Sequence, residues 1–279
     1  MKKWKKQPKS NWLDNLDKHR INPVPKTLPL NKRRVGWQWG GPYYSDEGED
    51  GILEYLFEYI NDTNKFAVDI GSAHGYGGSH VRNLVDKYNW ESLEIDSKAH
   101  RHRWTRHHPR VKNYNLKKDN ATSIFQNEKV PKGIDLLSLD IDSMDWYVLD
   151  HLLRKGGYNF NVIILEYNPI FEWDESYVVQ YDGKWWKDGT SRYGASLRAF
   201  QLLLKKYDMT LIHVTGRKTN SNNAIFISNK FITSKMNIKH ISELHNKSWM
   251  ENGKIKPNTD RNLTVKEIKK SNFIKRDDI

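Results

Sequence analysis

Oxygen-bearing side chains recur at the ends of apolar runs in this 279-residue chain. Ile134-Asp135-Leu136-Leu137-Ser138-Leu139 closes on Asp140-Ile141-Asp142, and Val162-Ile163-Ile164-Leu165 closes on Glu166-Tyr167-Asn168-Pro169. Two earlier runs close on Asp69 and on Glu94 with Asp96. Oxygen ligands converging from neighbouring strand ends suit a hard cation such as Mg²⁺, leaving open positions for water or a substrate diol. A hydroxyl bound to that cation loses its proton more readily and becomes a usable nucleophile. Asp140 and Asp142 are therefore candidate catalytic groups, with His74 and His213 as candidate general bases. A structural reading competes, in which Asp140 or Asp142 caps the following helix and Glu166 hydrogen-bonds its own loop.

The cofactor signal lies upstream, in Asp69-Ile70-Gly71-Ser72-Ala73-His74-Gly75 directly after Phe66-Ala67-Val68. Small residues there let the backbone turn tightly and approach a ligand. A dinucleotide fingerprint requires G-x-G-x-x-G, yet Ala73 occupies the second glycine position, and in the later Gly75-Tyr76-Gly77-Gly78-Ser79-His80 the third falls on His80. The spacing Asp69-x-Gly71-x-x-x-Gly75 fits a cofactor without a pyrophosphate, with Asp69, Gly71, Ser72 and Gly75 around a short amino-acid tail. S-adenosylmethionine is that cofactor. Glu94, at the end of the next strand, is placed to accept hydrogen bonds from the ribose hydroxyls. Asn120, in Lys118-Asp119-Asn120-Ala121, is placed to meet the adenine amino group. A glycine-rich turn without a ligand remains the structural alternative.

Positioning these groups requires strands alternating with helices. Ile52, Leu53, Leu56, Phe57 and Ile60 repeat with helical period before the first strand. A helix is expected over about 79–88, a second strand over Trp90 to Ile95, and a third around Val111 to Asn115. The runs ending in Asp140 and Glu166 are apolar throughout, as strands covered on both faces are. A helix over about 146–153 joins them. A further helix over about 195–207 precedes a closing pair of strands, Met209 to Val214 and Ala224 to Ser228. The alternation predicts an α/β, Rossmann-like, doubly wound, mostly parallel sheet. Phe171 to Tyr193 is aromatic and irregular, the composition of a substrate loop. Trp173, Tyr177, Tyr181, Trp185 and Trp186 offer a surface for sugar or planar rings, or else the loop's own packing. Ala99 to Arg110 is crowded with His and Arg and reads as a solvated basic helix or a metal-binding cluster.

The formal charge of +12 is uneven. Residues 1–34 hold 11 Lys/Arg against 2 Asp/Glu and residues 235–279 hold 11 against 6, whereas the intervening chain is near neutral. We therefore expect a basic Pro-containing arm over residues 1–42, a catalytic domain over 43–234 and a basic C-terminal extension over 235–279. The ends suit either solvated tails or contact with nucleic acid or another polyanion. The absence of Cys excludes thiolate catalysis and disulfides, and fits a cytoplasmic location. The lysine-rich start lacks a following apolar segment, so no signal peptide is expected, and no apolar run is long enough to span a bilayer.

Glu49-Asp50-Gly51-Ile52-Leu53, Phe66 to Gly71, Trp90 to Asp96, Asp135 to Asp142 and Glu166-Tyr167-Asn168-Pro169 together resemble, in order and spacing, the motifs of FkbM-type S-adenosylmethionine-dependent methyltransferases. The likeness spans about 43–229 and takes in Asp188 to Leu197. It implies a class I methyltransferase fold and commonly an O-methyltransferase of sugars or natural products, with Asp140, Asp142, Glu166 and Asn168 on the acceptor side and Asp140 also a cofactor-binding candidate. More distantly, Asp142, Glu166 and Asn168 resemble the Mg²⁺-binding positions of macrolide-sugar O-methyltransferases. Where many relatives carry Gly-Asn-Asp, this chain has Ser143-Met144-Asp145.

Two other functions compete with a small-molecule acceptor. One is an RNA methyltransferase that grips the polynucleotide with the basic ends, although no lysine at the Asp140 or Glu166 strand ends completes a Lys-Asp-Lys-Glu set. The other is a silent polyanion-binding scaffold on the same fold.

Overall fold

A computed structural model describes residues 44–45, 48–60, 63–73, 75, 77–98, 111–182, 192–215, 222–234, 236–245 and 273–276. Helix α1 (Glu49–Tyr59) leads into strand β1 (Phe66–Ile70), α2 (Arg82–Tyr88), β2 (Glu91–Asp96) and β3 (Val111–Asn113). Then come α3 (Ala121–Asn127), β4 (Gly133–Leu139), α4 (Asp145–Arg154), β5 (Asn159–Glu166) and the short β6 (Tyr177–Val179). Helix α5 (Leu197–Lys205), β7 (Met209–Val214), β8 (Asn223–Ser228), α6 (Ile241–Leu244) and β9 (Phe273–Lys275) complete the described elements.

Seven strands form one sheet in the order β3-β2-β1-β4-β5-β8-β7. Strands β3 to β5 pair in parallel, and β8 runs antiparallel between β5 and β7. This is the α/β, doubly wound, mostly parallel Rossmann-like sheet expected from the alternation of apolar runs. Period-two alternation divides the core between its faces. Val68, Leu137, Ile163 and Leu165 pack with α3, α4 and α5 on one side. Ala67, Leu136, Val162 and Ile164 pack with α1 and α2 on the other. Both faces are covered, which is why the central strands carry so few outward polar residues.

Chain order reverses between β1 and β4, since β2 and β3 lie on one side of that pair and β5 on the other. A crevice opens beyond the carboxyl ends of strands at such a reversal. Local chemistry shapes the elements around it. Helix α2 begins at Arg82 rather than at the expected 79, because Ser79 Oγ accepts the Arg82 N–H (3.2 Å) and the Val81 N–H (3.3 Å) ahead of it. Ser196 caps α5 by accepting from the Ala199 N–H (3.2 Å).

Part of the expected C-terminal extension packs on the domain. Strand β9 pairs antiparallel with β6, Phe273 meets Phe171 edge-on at 4.8 Å, and Ile241 and Leu244 of α6 enter the core. The basic arm over 1–42 and the His/Arg-rich stretch over 99–110 lie outside the described residues. Among the described residues no helix is long and apolar enough to cross a membrane.

Candidate active site

A cavity of about 440 Å³ occupies the crevice between β1 and β4. Four strand ends supply its wall: Gly71 and Ala73 after β1, Asp96 to Lys98 after β2, Asn115 to Lys117 after β3, and Asp140 to Met144 after β4. Tyr181 also lines it. The volume lies within the usual range for a small-molecule or cofactor site.

Gly71 is indispensable to the geometry. Its φ is +89°, and a Cβ there would stand 1.6 Å from the Asp140 carbonyl oxygen. Only glycine accommodates both constraints. The Gly71 and Ser72 N–H groups both donate to the Ile95 carbonyl (2.8 and 3.1 Å), and the Ser72 hydroxyl donates to the same oxygen (3.3 Å). The loop is thereby tied to the end of β2. Gly75, with φ +73°, abuts the Glu94 carboxylate, which would lie 2.5 Å from a Cβ. Ser72 and Gly75 thus shape the loop from beneath the cavity. His74 lies outside the described residues.

The acidic residues of β1 and β2 divide by depth. Asp69 pairs in register with Glu94, one step before the Ile70–Ile95 pair that ends the ladder. Glu94 is fully buried, accepts from the Ser92 hydroxyl (3.0 Å) and lies 3.8 Å from the Arg82 guanidinium. It is not among the residues that line the cavity, whereas Asp96 is. Asp96, two residues on along the same face, lies level with the cavity floor. It accepts from the Ala73 N–H (3.0 Å) and the Lys98 N–H (2.6 Å). Asp69 is likewise not among the lining residues and accepts from the Ser79 hydroxyl at 2.8 Å. Burial pushes its carboxyl above the ordinary range.

A polar layer that the sequence did not announce supports these residues. Glu49 accepts from the Thr215 hydroxyl (2.7 Å) and the Asn223 amide (2.9 Å). His80 Nδ1 meets Ser138 Oγ at 3.0 Å, and its Nε2 meets the Asn223 amide at 3.3 Å. Burial acts to raise the Glu49 carboxyl, but His80, Asn223 and Thr215 outweigh it and hold it below the usual range. The layer joins α1, the turn before α2, β4, β8 and the residue after β7.

Carboxylate oxygens of Asp140, Asp142 and Glu166 lie within 4.8 Å of one another. The competing reading of the Asp residues as helix caps is not borne out, since α4 has Met144 at its N-cap and no side-chain cap. Asp145 instead organises this turn, accepting from the Ile141 N–H (2.8 Å) and the Ser143 N–H (3.0 Å). Burial pushes the Asp145 carboxyl up to about 6. Asp142 adopts φ +58°, a left-handed conformation that Asp tolerates better than most residues. Tyr193 stands beside the three carboxylates, where burial and then the charges of Glu166, Asp140 and Asp142 push its phenol well above the ordinary range.

Asn168, Asn120 and His213 are not among the residues that line the cavity. The Asn168 amide donates to the Tyr193 carbonyl (2.9 Å) and accepts from the Ile170 N–H (3.1 Å), so it fixes the loop after β5. Asn120 accepts from the Lys117 N–H (2.7 Å) and donates to the Asn115 carbonyl (3.0 Å). It closes the turn whose residues 115–117 line the cavity, and is itself no part of the lining. His213 is buried on β7, at the edge of the sheet, and does not line the cavity either. Of the aromatic set, Trp173 packs on His240 (5.2 Å) and Tyr177 stacks on Phe171 (5.1 Å), while Trp185 and Trp186 lie outside the described residues.

No protein-family model and no curated protein matches the chain. Among solved structures it is similar to the N-terminal domain of EvdMO1 with SAH bound, at 9% identity and a TM-score of 0.40, covering 77% of this chain and 94% of that one. It is also similar to CalO1, a methyltransferase in calicheamicin biosynthesis in its SAH-bound form, at 13% identity and a TM-score of 0.34, covering 78% and 67%. TnmH is similar at 11% identity and a TM-score of 0.34, covering 77% and 66%. Likeness at these scores carries no argument about function, for which the geometry of the site is the ground.

Proposed function

We propose that the protein is an S-adenosylmethionine-dependent methyltransferase of FkbM type that methylates a hydroxyl of a small molecule, a sugar or natural product. The observation that carries this reading is the cavity at the β1/β4 reversal, bounded by the Gly71 loop and Asp96 and opening beside Asp140 and Asp142. The backbone of Gly71 and Ala73 receives the amino-acid tail. Asp96 accepts from the ribose hydroxyls with the lone pairs that Ala73 and Lys98 leave available. Leu116, Ile141 and Met144 provide apolar contact for the purine.

The acceptor side is formed by Asp140, Asp142 and Glu166. Their clustered carboxylate oxygens fit a hard divalent cation in donor type and spacing, so these three would hold Mg²⁺. The bound ion would offset their mutual repulsion and make an acceptor hydroxyl easier to deprotonate. In the transfer, the hydroxyl oxygen forms a bond to the methyl carbon while the carbon–sulfur bond breaks and its electron pair returns to sulfur. The hydroxyl proton passes to water, and the products are the methyl ether and S-adenosylhomocysteine. Asp145 contributes by holding the turn that presents the first two acids.

The test is transfer of a labelled methyl group from S-adenosylmethionine to a panel of free sugars and glycosides in the presence of Mg²⁺. Label in an ether linkage supports the reading. Transfer only to RNA would replace the acceptor class, and no transfer to either would count against an enzyme.

A further inference from the structure

Tyr181 is, among the described residues, the one lining residue of the cavity that does not come from the ends of β1 to β4. It follows β6 by two positions. Three neighbours fix its ring. The hydroxyl donates to Asp119 (2.9 Å), in the same turn as the cavity-lining Asn115 to Lys117. The Lys118 ammonium lies over the ring, 4.5 Å from its centroid. Tyr147 of α4 packs against it at 5.0 Å with the planes tilted by 56°. Tyr181 therefore bridges the turn after β3 and the helix after β4.

The segment carrying Tyr181 is itself clamped. Strand β6 is hydrogen-bonded along one edge to β9, in the register Tyr177–Lys275, Val178–Ile274 and Val179–Phe273, and Val178 also bridges Ala195. The Arg276 N–H donates to the Ser176 carbonyl (2.9 Å), and the Arg276 guanidinium lies 5.6 Å from the Trp146 ring centroid. Arg276 thus ties the start of β6 to α4, while Phe273 pairs with Val179 at the end from which Tyr181 leaves the strand.

We propose that Tyr181 is a cofactor-binding residue whose ring forms the outer wall of the nucleoside half of the cavity and stacks on the adenine of S-adenosylmethionine. Asp119 and the β9 clamp hold it in place. The idea rests on the methyltransferase reading and deepens it, because it assigns Tyr181 to the cofactor rather than to an acceptor-facing aromatic surface. The ring supplies the stacking surface, and the hydroxyl only orients the ring.

Calorimetric titration of the full-length wild type, Tyr181→Phe and Tyr181→Ala with S-adenosylhomocysteine and with adenosine tests the assignment. Tyr181→Phe, which keeps the ring but loses the hydrogen bond to Asp119, should weaken both ligands less than Tyr181→Ala does. Tyr181→Ala should weaken both by a similar factor, on the order of tenfold, the scale of one lost aromatic–base stack. Adenosine decides between a wall at the base and a contact at the tail or acceptor, since it lacks the tail. Unchanged adenosine affinity in a folded Tyr181→Ala variant would overturn the proposal while leaving the cofactor reading intact. No binding of either ligand by folded wild type would overturn both. Should Tyr181→Ala not fold, Tyr181→Leu fills the space without a ring and is held to the same expectation.

Discussion

A Cβ on Gly71 would stand 1.6 Å from the carbonyl oxygen of Asp140, so the first loop and the end of β4 meet backbone to backbone. That contact sets the width of the crevice between the cofactor loop and the first of the clustered acids. Gly71→Ala must both strain φ and push the loop off β4, which should destabilise the protein by about 2 kcal/mol or more. Urea unfolding measures this, and a variant as stable as the wild type would show that the loop is free to shift.

Asp96 rather than Glu94 should govern the nucleoside. Asp96→Ala is expected to weaken S-adenosylhomocysteine binding by on the order of 1–3 kcal/mol, the scale of losing a polar partner in an enclosed site. Glu94→Gln should act mainly on stability, because Glu94 lies below the cavity beside Ser92 and Arg82. Titration and thermal melting of the two variants separate these effects. The reverse pattern would restore Glu94 to the ribose.

The carboxylate cluster should bind a cation without being needed for the nucleoside. Asp142→Asn and Glu166→Gln are each expected to reduce Mn²⁺ affinity at least tenfold, followed by paramagnetic resonance, while adenosine affinity changes by less than about threefold. Retained Mn²⁺ binding in both variants would remove the metal from the account.

Stability should respond to pH through Asp50, whose carboxylate accepts from the Tyr44 and Ser45 N–H groups (2.8 Å each). Burial pushes this carboxyl from its ordinary 3.8 up to about 6, against those hydrogen bonds. The folded state therefore holds the proton more tightly than the unfolded state. The associated stability is fully present below pH 3.8 and is lost as pH rises through 6. Relative to Asp50→Asn, the wild type should lose on the order of 2 kcal/mol between pH 4 and pH 7. Parallel unfolding profiles for the two proteins would contradict this.

Much of the architecture was legible because the central strands are covered on both faces. Apolar runs such as Ile134 to Leu139 and Val162 to Leu165 admit few other assignments. The three-residue β6 and β9 were not legible, since neither holds a periodic pattern and each exists only through pairing with the other. Asp140, Asp142 and Glu166 could be placed together because neighbouring strand ends must converge. Glu94 and Asp96 could not be told apart, because alternation puts both on one face and only the register of β2 on β1 sets which reaches the cavity. Asn168 and Asn120 looked like ligand contacts by position, yet both close loops, and the backbone groups they bind are invisible in a sequence. Tyr181 stood out only as one of several aromatic residues, and its distinct role depends on the distant Asp119 and Tyr147.

The most direct measurement is calorimetric titration of the purified protein with S-adenosylhomocysteine, with and without Mg²⁺. The account predicts saturable one-to-one binding of micromolar strength under both conditions, since Asp96 and the Gly71 loop, which are assigned to the nucleoside and tail, are not the acids assigned to the ion. The absence of binding by folded protein in either condition would contradict it and return the chain to a fold without its cofactor.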